Sequence, residues 1–312
     1  MTVLLKPSGI RIAGAPISWG VCEVPGWGHV LDAQTVLGQM SELGLRATEL
    51  GPPGYLPRDP AALRDLLETY RLSLVGGFLA VPLHERPGAA LREAADSAAL
   101  FAACGADVLV LAAATGLTGY DERPALTERQ WHTLVDTAHQ VADTAARHGL
   151  RTVLHPHVGT HVETAVEVER FLADSHLPLC LDTGHLMLGG TDPVDLAKRH
   201  PGRVGHLHLK DVRADLAARV RAGEIGYQAA VAEGLYVPLG DGDVDIEAMV
   251  RFVHEAGYDG WYVLEQDTAL AEGGSLDRPS DDTARSLAQL ARIVDRLTRF
   301  PSNRSDNGVN EI

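Results

Sequence analysis

The chain has 312 residues, 45% of them hydrophobic, enough apolar material for one large core or two ordinary ones. With 42 acidic against 27 basic residues and a formal net charge of −15, it lacks the basic excess that displaces counterions from phosphates, and no nucleic-acid partner is expected. No apolar run approaches the roughly 20 residues of a membrane span, "MTVLLKPSGIRIAGAP" lacks the apolar region and cleavage site of a signal peptide, and Cys22, Cys104 and Cys180 lie far apart, so a cytoplasmic protein with reduced thiols and no membrane partner is predicted.

In chain order, the first strand is predicted in "IRIAGAPISW" (10–19), followed by a helical "VLGQMSELG" ending on Gly44. The second is "ATELG" (47–51), followed by "PAALRDLLETYRL", where Pro60 sits at a helix start. The third, "LSLVGGFL" (72–79), leads to a helix that ends on Gly105, and the fourth, "DVLVLAA" (107–113), to a long one that ends on Gly149. "RTVLHPH" (151–157), "PLCLDTGH" (178–185), "VGHLHLKD" (204–211) and "GWYVLEQD" (260–267) complete eight rounds, and a last helix runs through "DDTARSLAQLARIVDRL". Residues 212–245 read as one short helix followed by a loop, "YVPLGDGDVD"; the "GDGD" within it lacks the other ligands of a calcium loop and reads as a turn.

Repeated helix–Gly–strand punctuation implies βα units around a parallel sheet. Eight units in this length predict a single α/β domain, a (β/α)8 TIM barrel over 1–298, with a disordered polar tail at 299–312. A doubly wound sheet is the competitor, but no Gly-rich phosphate turn follows the first strand.

In such a barrel, catalytic residues belong at the C-terminal strand ends. There the sequence puts Glu49, His155, His157, Asp182, His185, His206, His208, Lys210, Asp211, Glu265 and Asp267. Any one of them has a structural explanation: a helix cap, a rim charge, or in the case of Lys210 an ion pair with Asp211 or Glu265. Four consecutive strands ending in carboxylates and imidazoles, without a thiolate, instead suit a divalent cation: Mn²⁺ or Co²⁺ first, with Mg²⁺, Fe²⁺ and Zn²⁺ also accommodated. Strand alternation puts His206 and His208 on one face. Trp19 and Trp27 flank a Gly- and Pro-rich first loop and are candidates to stack on a sugar ring, or to pack. His84 lies just past the third strand, near the site or solvated, and Cys22 has no partner pattern for a nucleophile.

"CLDTGH", "GHLHLKD" and "WYVLEQD" at successive strand ends resemble the xylose isomerase-like, sugar-phosphate isomerase/epimerase superfamily of metal-dependent barrels, over nearly the whole chain. Within it, "APISWG", "TELG", "HPHVGTHVET", the long "LDTGHLMLGGTDPVDLAKRHPGRVGHLHLKDVR" and "AVAEGLYVPLGDGDVD" are most similar to the inosose dehydratases, which act on 2-keto-myo-inositol. The resemblance implies a metal held by Asp182, His208 and Glu265. His208 is preferred over His206, which is expected to be structural. Where many relatives have a glutamate at the fifth strand end, this chain has His155, the expected fourth ligand, with His157 and then Glu163 as alternatives. The implied chemistry is loss of a proton beside the ketone and of the β-hydroxyl as water, with Glu49, His157, His185 and Lys210 as candidate acids, bases and substrate contacts. The implied partner is a small polyhydroxylated ketone, for a monomer or homodimer. An isomerase or epimerase on the same scaffold is the alternative, weakened by the histidine at the fifth strand; a non-catalytic sugar-binding barrel is a further one. A DNA-repair endonuclease is opposed by the net charge.

Overall fold

The computed structural model describes residues 10–299, apart from 274 and 276. Of the expected tail at 299–312, Arg299 is described and helical; residues 300–312 and the N-terminal nine lie outside the described residues. Strands and helices alternate as β1 (Arg11–Gly14), α1 (Ala33–Glu42), β2 (Ala47–Thr48), α2 (Pro60–Thr69), β3 (Ser73–Leu74), β4 (Gly76–Val81), α3 (Gly88–Ala103), β5 (Val108–Ala113), α4 (Glu128–Ala146), β6 (Arg151–Leu154) and α5 (Ala165–Asp174). There follow β7 (Leu179–Asp182), α6 (Thr183–Leu188), α7 (Pro193–Arg199), β8 (Val204–Leu209), β9 (Asp211–Val212), α8 (Ala214–Arg221), α9 (Tyr227–Ala232), β10 (Tyr236–Val237), α10 (Ile246–Glu255), β11 (Trp261–Leu264) and α11 (Arg278–Arg299). Among the described residues no helix is long and apolar enough to cross a membrane.

The main sheet is parallel and runs β3-β2-β1-β11-β8-β7-β6-β5-β4. Its two ends are halves of one strand, parted only by Val75. The Val75 N–H donates to Thr48 O at 3.0 Å, and its carbonyl accepts from Asp107 N at 3.2 Å, so one residue bridges both neighbours and the ring of eight closes. Strand alternation then makes two separate cores. Leu109, Leu111, Leu154, Leu181, Leu207, Leu209 and Leu264 pack outward against the helices. Ala13, Ala47, Val75 and Val263 fill one side of the barrel interior, and Val108, Val110, Val153 and Cys180 the other.

Several strands end two or three residues before the sequence reading put them, among them β2, β6 and β11, and three departures shape the site. The first strand stops at Gly14, because Pro16 has no N–H to continue the ladder and opens a 3-10 turn at Pro16–Trp19, closed by Gly20 at φ 78°. The predicted sixth strand stops at Asp182, whose Oδ1 accepts the N–H groups of Gly184 (2.9 Å) and His185 (2.8 Å) and so starts α6. Residues 212–245 are more than a helix and a loop: β9 and β10 pair antiparallel around α8 and α9. The Asp211 carboxylate accepts from the N–H groups of Gly240, Gly242 and Val244, which folds "GDGD" into the expected turn.

Candidate active site

The alternation that buries Ala47, Val153, Cys180 and Val263 in the barrel interior carries Glu49, His155, Asp182 and Glu265, each two residues on, to its C-terminal mouth. His206, His208 and Lys210 share one face of β8 and its continuation, and β8 lies between β7 and β11, with His208 directly opposite Asp182 and Val263. Four donor atoms face one another there. The His155 Nε2 is 3.6 Å from Asp182 Oδ2, which is 3.5 Å from His208 Nδ1, which is 3.2 Å from Glu265 Oε2. Asp182 is fully buried, and its Oδ2 has no hydrogen-bond partner, nor has His208 Nδ1. Buried polar atoms that lack a hydrogen bond are costly, and here it is the nearby charges of Lys210 and Glu265 that compensate them. The His155 Nδ1–H is donated to Pro156 O at 2.8 Å, which leaves Nε2 as the lone pair. Asp182, His208 and Glu265 lie close enough together to hold one divalent cation, with His155 Nε2 beside Asp182 as a further nitrogen donor.

The charge balance points the same way. Buried Asp182 and Asp267 and the half-buried Glu265 surround Lys210, with buried Glu49 across the mouth, and Lys210 is the one Lys or Arg lining the cavity among the described residues. Its Nζ lies 2.7 Å from Asp267 Oδ1, 3.1 Å from Glu265 Oε2 and 3.3 Å from Asp182 Oδ2. Burial opposes that ammonium, but Asp182, Asp267 and Glu265 outweigh it and hold its pKa well above the usual lysine value. Asp182 is held well below the carboxylate range: burial opposes its charge, and Lys210 and the nearby histidines overcome the penalty. At His208 burial is likewise outweighed, by Cys180, Glu265 and Glu49, and the ring holds a proton far more tightly than an ordinary histidine. One ammonium among four carboxylates leaves a negative surplus that a divalent cation would largely offset.

Beside the cluster, the His157 Nδ1–H is donated to Val158 O at 2.7 Å, so Nε2 is unprotonated in a side chain that lines the cavity. Its ring lies against His185 at 3.8 Å, and burial with the neighbouring His155 brings its pKa down to about 3. His185 rides α6, 2.9 Å from Lys210 Nζ, and is kept neutral by burial, His157 and Lys210. Glu49 sits across the mouth, its Oε1 2.9 Å from His206 Nε2 and 3.1 Å from His208 Nε2.

All eight candidate side chains are therefore brought together. The alternative ligand Glu163 is not: Arg123 (3.1 Å) and the Gly159 N–H (2.7 Å) hold it in the loop. Trp19 packs rather than stacks on a ligand, fully buried with its indole N–H on Gln39 Oε1 at 2.7 Å. Trp27 does line the cavity, its N–H on Thr268 O at 2.8 Å and its ring against Tyr120 and Tyr227. His84 is paired with His161, ring centroids 4.4 Å apart. Burial and Glu23 push the Cys22 thiol far up, which suits no nucleophile. For Lys210, the expected pair with Glu265 is present, whereas Asp211 is turned to its backbone turn.

Sequence reasoning missed the role of Asp267, which joins Lys210 to the Tyr227 hydroxyl; that hydroxyl donates to Asp267 Oδ2 at 2.6 Å and lies 3.0 Å from the Tyr236 hydroxyl. Asp267 follows Glu265 at strand spacing, a signal that was available. Tyr227 and Tyr236 come from the segment read mostly as a loop.

Residues 37–293 match the family described as Xylose isomerase-like TIM barrel. The chain belongs to this family. Among curated relatives it is 36% identical over 276 residues to the inosose dehydratase of Geobacillus kaustophilus (strain HTA426), covering 84% of this chain and 89% of that one. It is 35% identical over 268 residues to the rhizopine catabolism protein MocC of Rhizobium meliloti, covering 83% and 82%. Of solved structures, an L-ribulose 3-epimerase superposes with a TM-score of 0.67 at 18% identity, covering 95% of this chain and 99% of that one; at that identity the likeness is one of fold. The family drawn from the strand-end motifs is the family found, and the xylose isomerase-like barrel accounts for the closed ring of eight strands.

Proposed function

We propose that this chain is a hydro-lyase that dehydrates 2-keto-myo-inositol (scyllo-inosose) or a close keto-cyclitol, with a divalent cation held by His155, Asp182, His208 and Glu265. The observation that carries the reading is the convergence of Asp182, His208 and Glu265, with His155 beside Asp182, next to a second imidazole, His157, whose lone pair is free. The similarity to an inosose dehydratase along most of both chains supports it. A cation there would supply Lewis acidity toward the substrate's carbonyl and neighbouring hydroxyl. Mn²⁺ or Co²⁺ suits this mixed imidazole and carboxylate set best, and Mg²⁺, Fe²⁺ and Zn²⁺ are also accommodated.

The protein groups divide the remaining work. His157 Nε2 is neutral at working pH and takes the proton from the carbon beside the ketone. Lys210 stays charged and offers a donor to the oxygen on which negative charge grows. His185, hydrogen-bonded to Lys210, stands on the side where the β-hydroxyl departs as water. The substrate is uncharged: among the described residues Lys210 is the single Lys or Arg in the lining and is already engaged by three carboxylates, so a phosphate or carboxylate on the ligand would meet Glu23, Glu49 and Asp267 with no free Lys or Arg to pair with.

The test is ultraviolet absorbance of the enone or diketone product with scyllo-inosose and added Mn²⁺ or Co²⁺, beside an Asp182→Ala control. A metal-dependent signal absent from the control is expected. Metal binding without that signal would move the assignment to a ketose isomerase or epimerase. No metal binding at all would leave the non-catalytic sugar-binding barrel.

A further inference from the structure

We propose that Glu49 is a positioning residue that holds His208 in the tautomer able to bind a metal, rather than the base or substrate contact that its place at a strand end suggests. The inference rests on the metal reading above. Glu49 is 3% exposed and sits just past β2, its N–H donated to Gly14 O at 3.0 Å, so its backbone is tied to the barrel. One of its carboxylate oxygens, Oε1, is approached by two imidazoles from the same face of β8, His206 Nε2 at 2.9 Å and His208 Nε2 at 3.1 Å. A carboxylate oxygen only accepts, so both Nε2 atoms are donors.

For His208 this decides the other nitrogen. In the metal-free site the ring keeps both its protons; a cation displaces one of them, and with Glu49 holding the N–H at Nε2 the lone pair is left at Nδ1, the atom 3.2 Å from Glu265 and 3.5 Å from Asp182. Without Glu49, those two carboxylates would draw the proton to Nδ1, and no lone pair would face them. His206 then has a purpose as well: placed one pleat deeper, it anchors the same oxygen from below. Two histidines two residues apart on one strand thus act together, one presenting a lone pair and one steadying the carboxylate that sets it.

The test uses the whole chain and Zn²⁺ as probe, with affinity read by competition against a colour-forming chelator and tautomers read from ¹⁵N–¹H correlations of the labelled imidazoles. Glu49→Ala is expected to weaken Zn²⁺ binding roughly 10- to 100-fold and to remove the Nε2–H signature of His208. Isosteric Glu49→Gln, whose amide oxygen still accepts one N–H, is expected to fall between Glu49→Ala and wild type; it keeps the test valid if the alanine variant folds poorly. Asp182→Ala is expected to lose Zn²⁺ altogether. Unchanged affinity and tautomer in Glu49→Gln with kcat lowered 100-fold or more would make Glu49 a base and overturn the inference while the metal reading stands. Two equivalents of Zn²⁺ in the wild type, one lost with Glu49→Ala, would make Glu49 itself a ligand and overturn it too. No Zn²⁺ bound by the wild type would overturn both.

Discussion

Lys210 concentrates the electrostatics of the site in one side chain. Its ammonium is 3% exposed and meets Asp182, Glu265, Asp267 and His185 within 3.3 Å. Removing the charge but not the stem, as in Lys210→Met, leaves three buried carboxylates facing each other. The expected cost is about 3–5 kcal/mol of unfolding free energy in EDTA, and added Mn²⁺ should recover part of it, because a cation replaces the lost charge; urea unfolding with and without metal reads both. His157 makes the opposite prediction. It is outside the four-donor cluster, so His157→Gln should lower kcat by about 10²–10⁴-fold while Mn²⁺ affinity stays within a factor of two. An equal loss of metal affinity would make it a ligand in place of His155. Lys210 was legible in the sequence because strand alternation puts it on the face of His208, and His157 because it follows closely on a strand end. The tautomers were not, since the carbonyls of Pro156 and Val158 that set them belong to a loop whose path no periodicity encodes.

The loop from β6 to α5 shows how an element positions that chemistry. Gly159 turns it at φ 74°, and a Cβ there would sit 2.5 Å from Tyr120 Cα. Gly159→Ala therefore adds both backbone strain and a clash, about 1–3 kcal/mol from the strained φ alone, and should reduce kcat by moving His157; the melting temperature and turnover are the paired readouts. Arg123 ties down the same loop through Thr160 O at 2.7 Å, Glu163 at 3.1 Å and Glu167. His161, also in the loop, gives it a pH dependence. Burial, then the His84 ring and Arg123, bring its pKa down from 6.5 to about 4. Between those values the unfolded chain binds more protons than the folded one, so stability falls as pH falls through that window and levels off below about 4. His161→Gln should flatten the dependence of the urea midpoint on pH across it; a slope equal to wild type would exclude the histidine as its source.

At the scale of the molecule, the four-donor cluster joins β6, β7, β8 and β11, and any ion bound there favours the folded ring over the open chain. At a concentration 100 times its Kd, Mn²⁺ should add about 2.7 kcal/mol, a rise of about 5 °C in Tm for a chain of this size. Asp182→Ala should show no such rise, and a rise that persists would put the ion elsewhere. On the proposed reading the ligand is chosen in the interior, where Lys210 is already engaged and no other Lys or Arg among the described lining residues faces an anionic substrate.

By itself the sequence determined the class of fold, the number of βα units and which faces bury, because 3.6- and two-residue periodicities are local properties of the chain. It also carried the candidate ligands, since a strand end in a barrel of this kind is a fixed address. Only the tertiary structure decided how the ring closes at Val75, that His185 belongs to a helix capped by Asp182, that Asp267 and two tyrosines join the site, and that Glu163 does not. Each of these depends on contacts between residues far apart in the chain, where the geometry follows from packing and hydrogen-bond satisfaction rather than from pattern. Glu49 illustrates the division: its strand end was legible, but its partners stand 157 and 159 residues away, and only their meeting at one oxygen gives it a role.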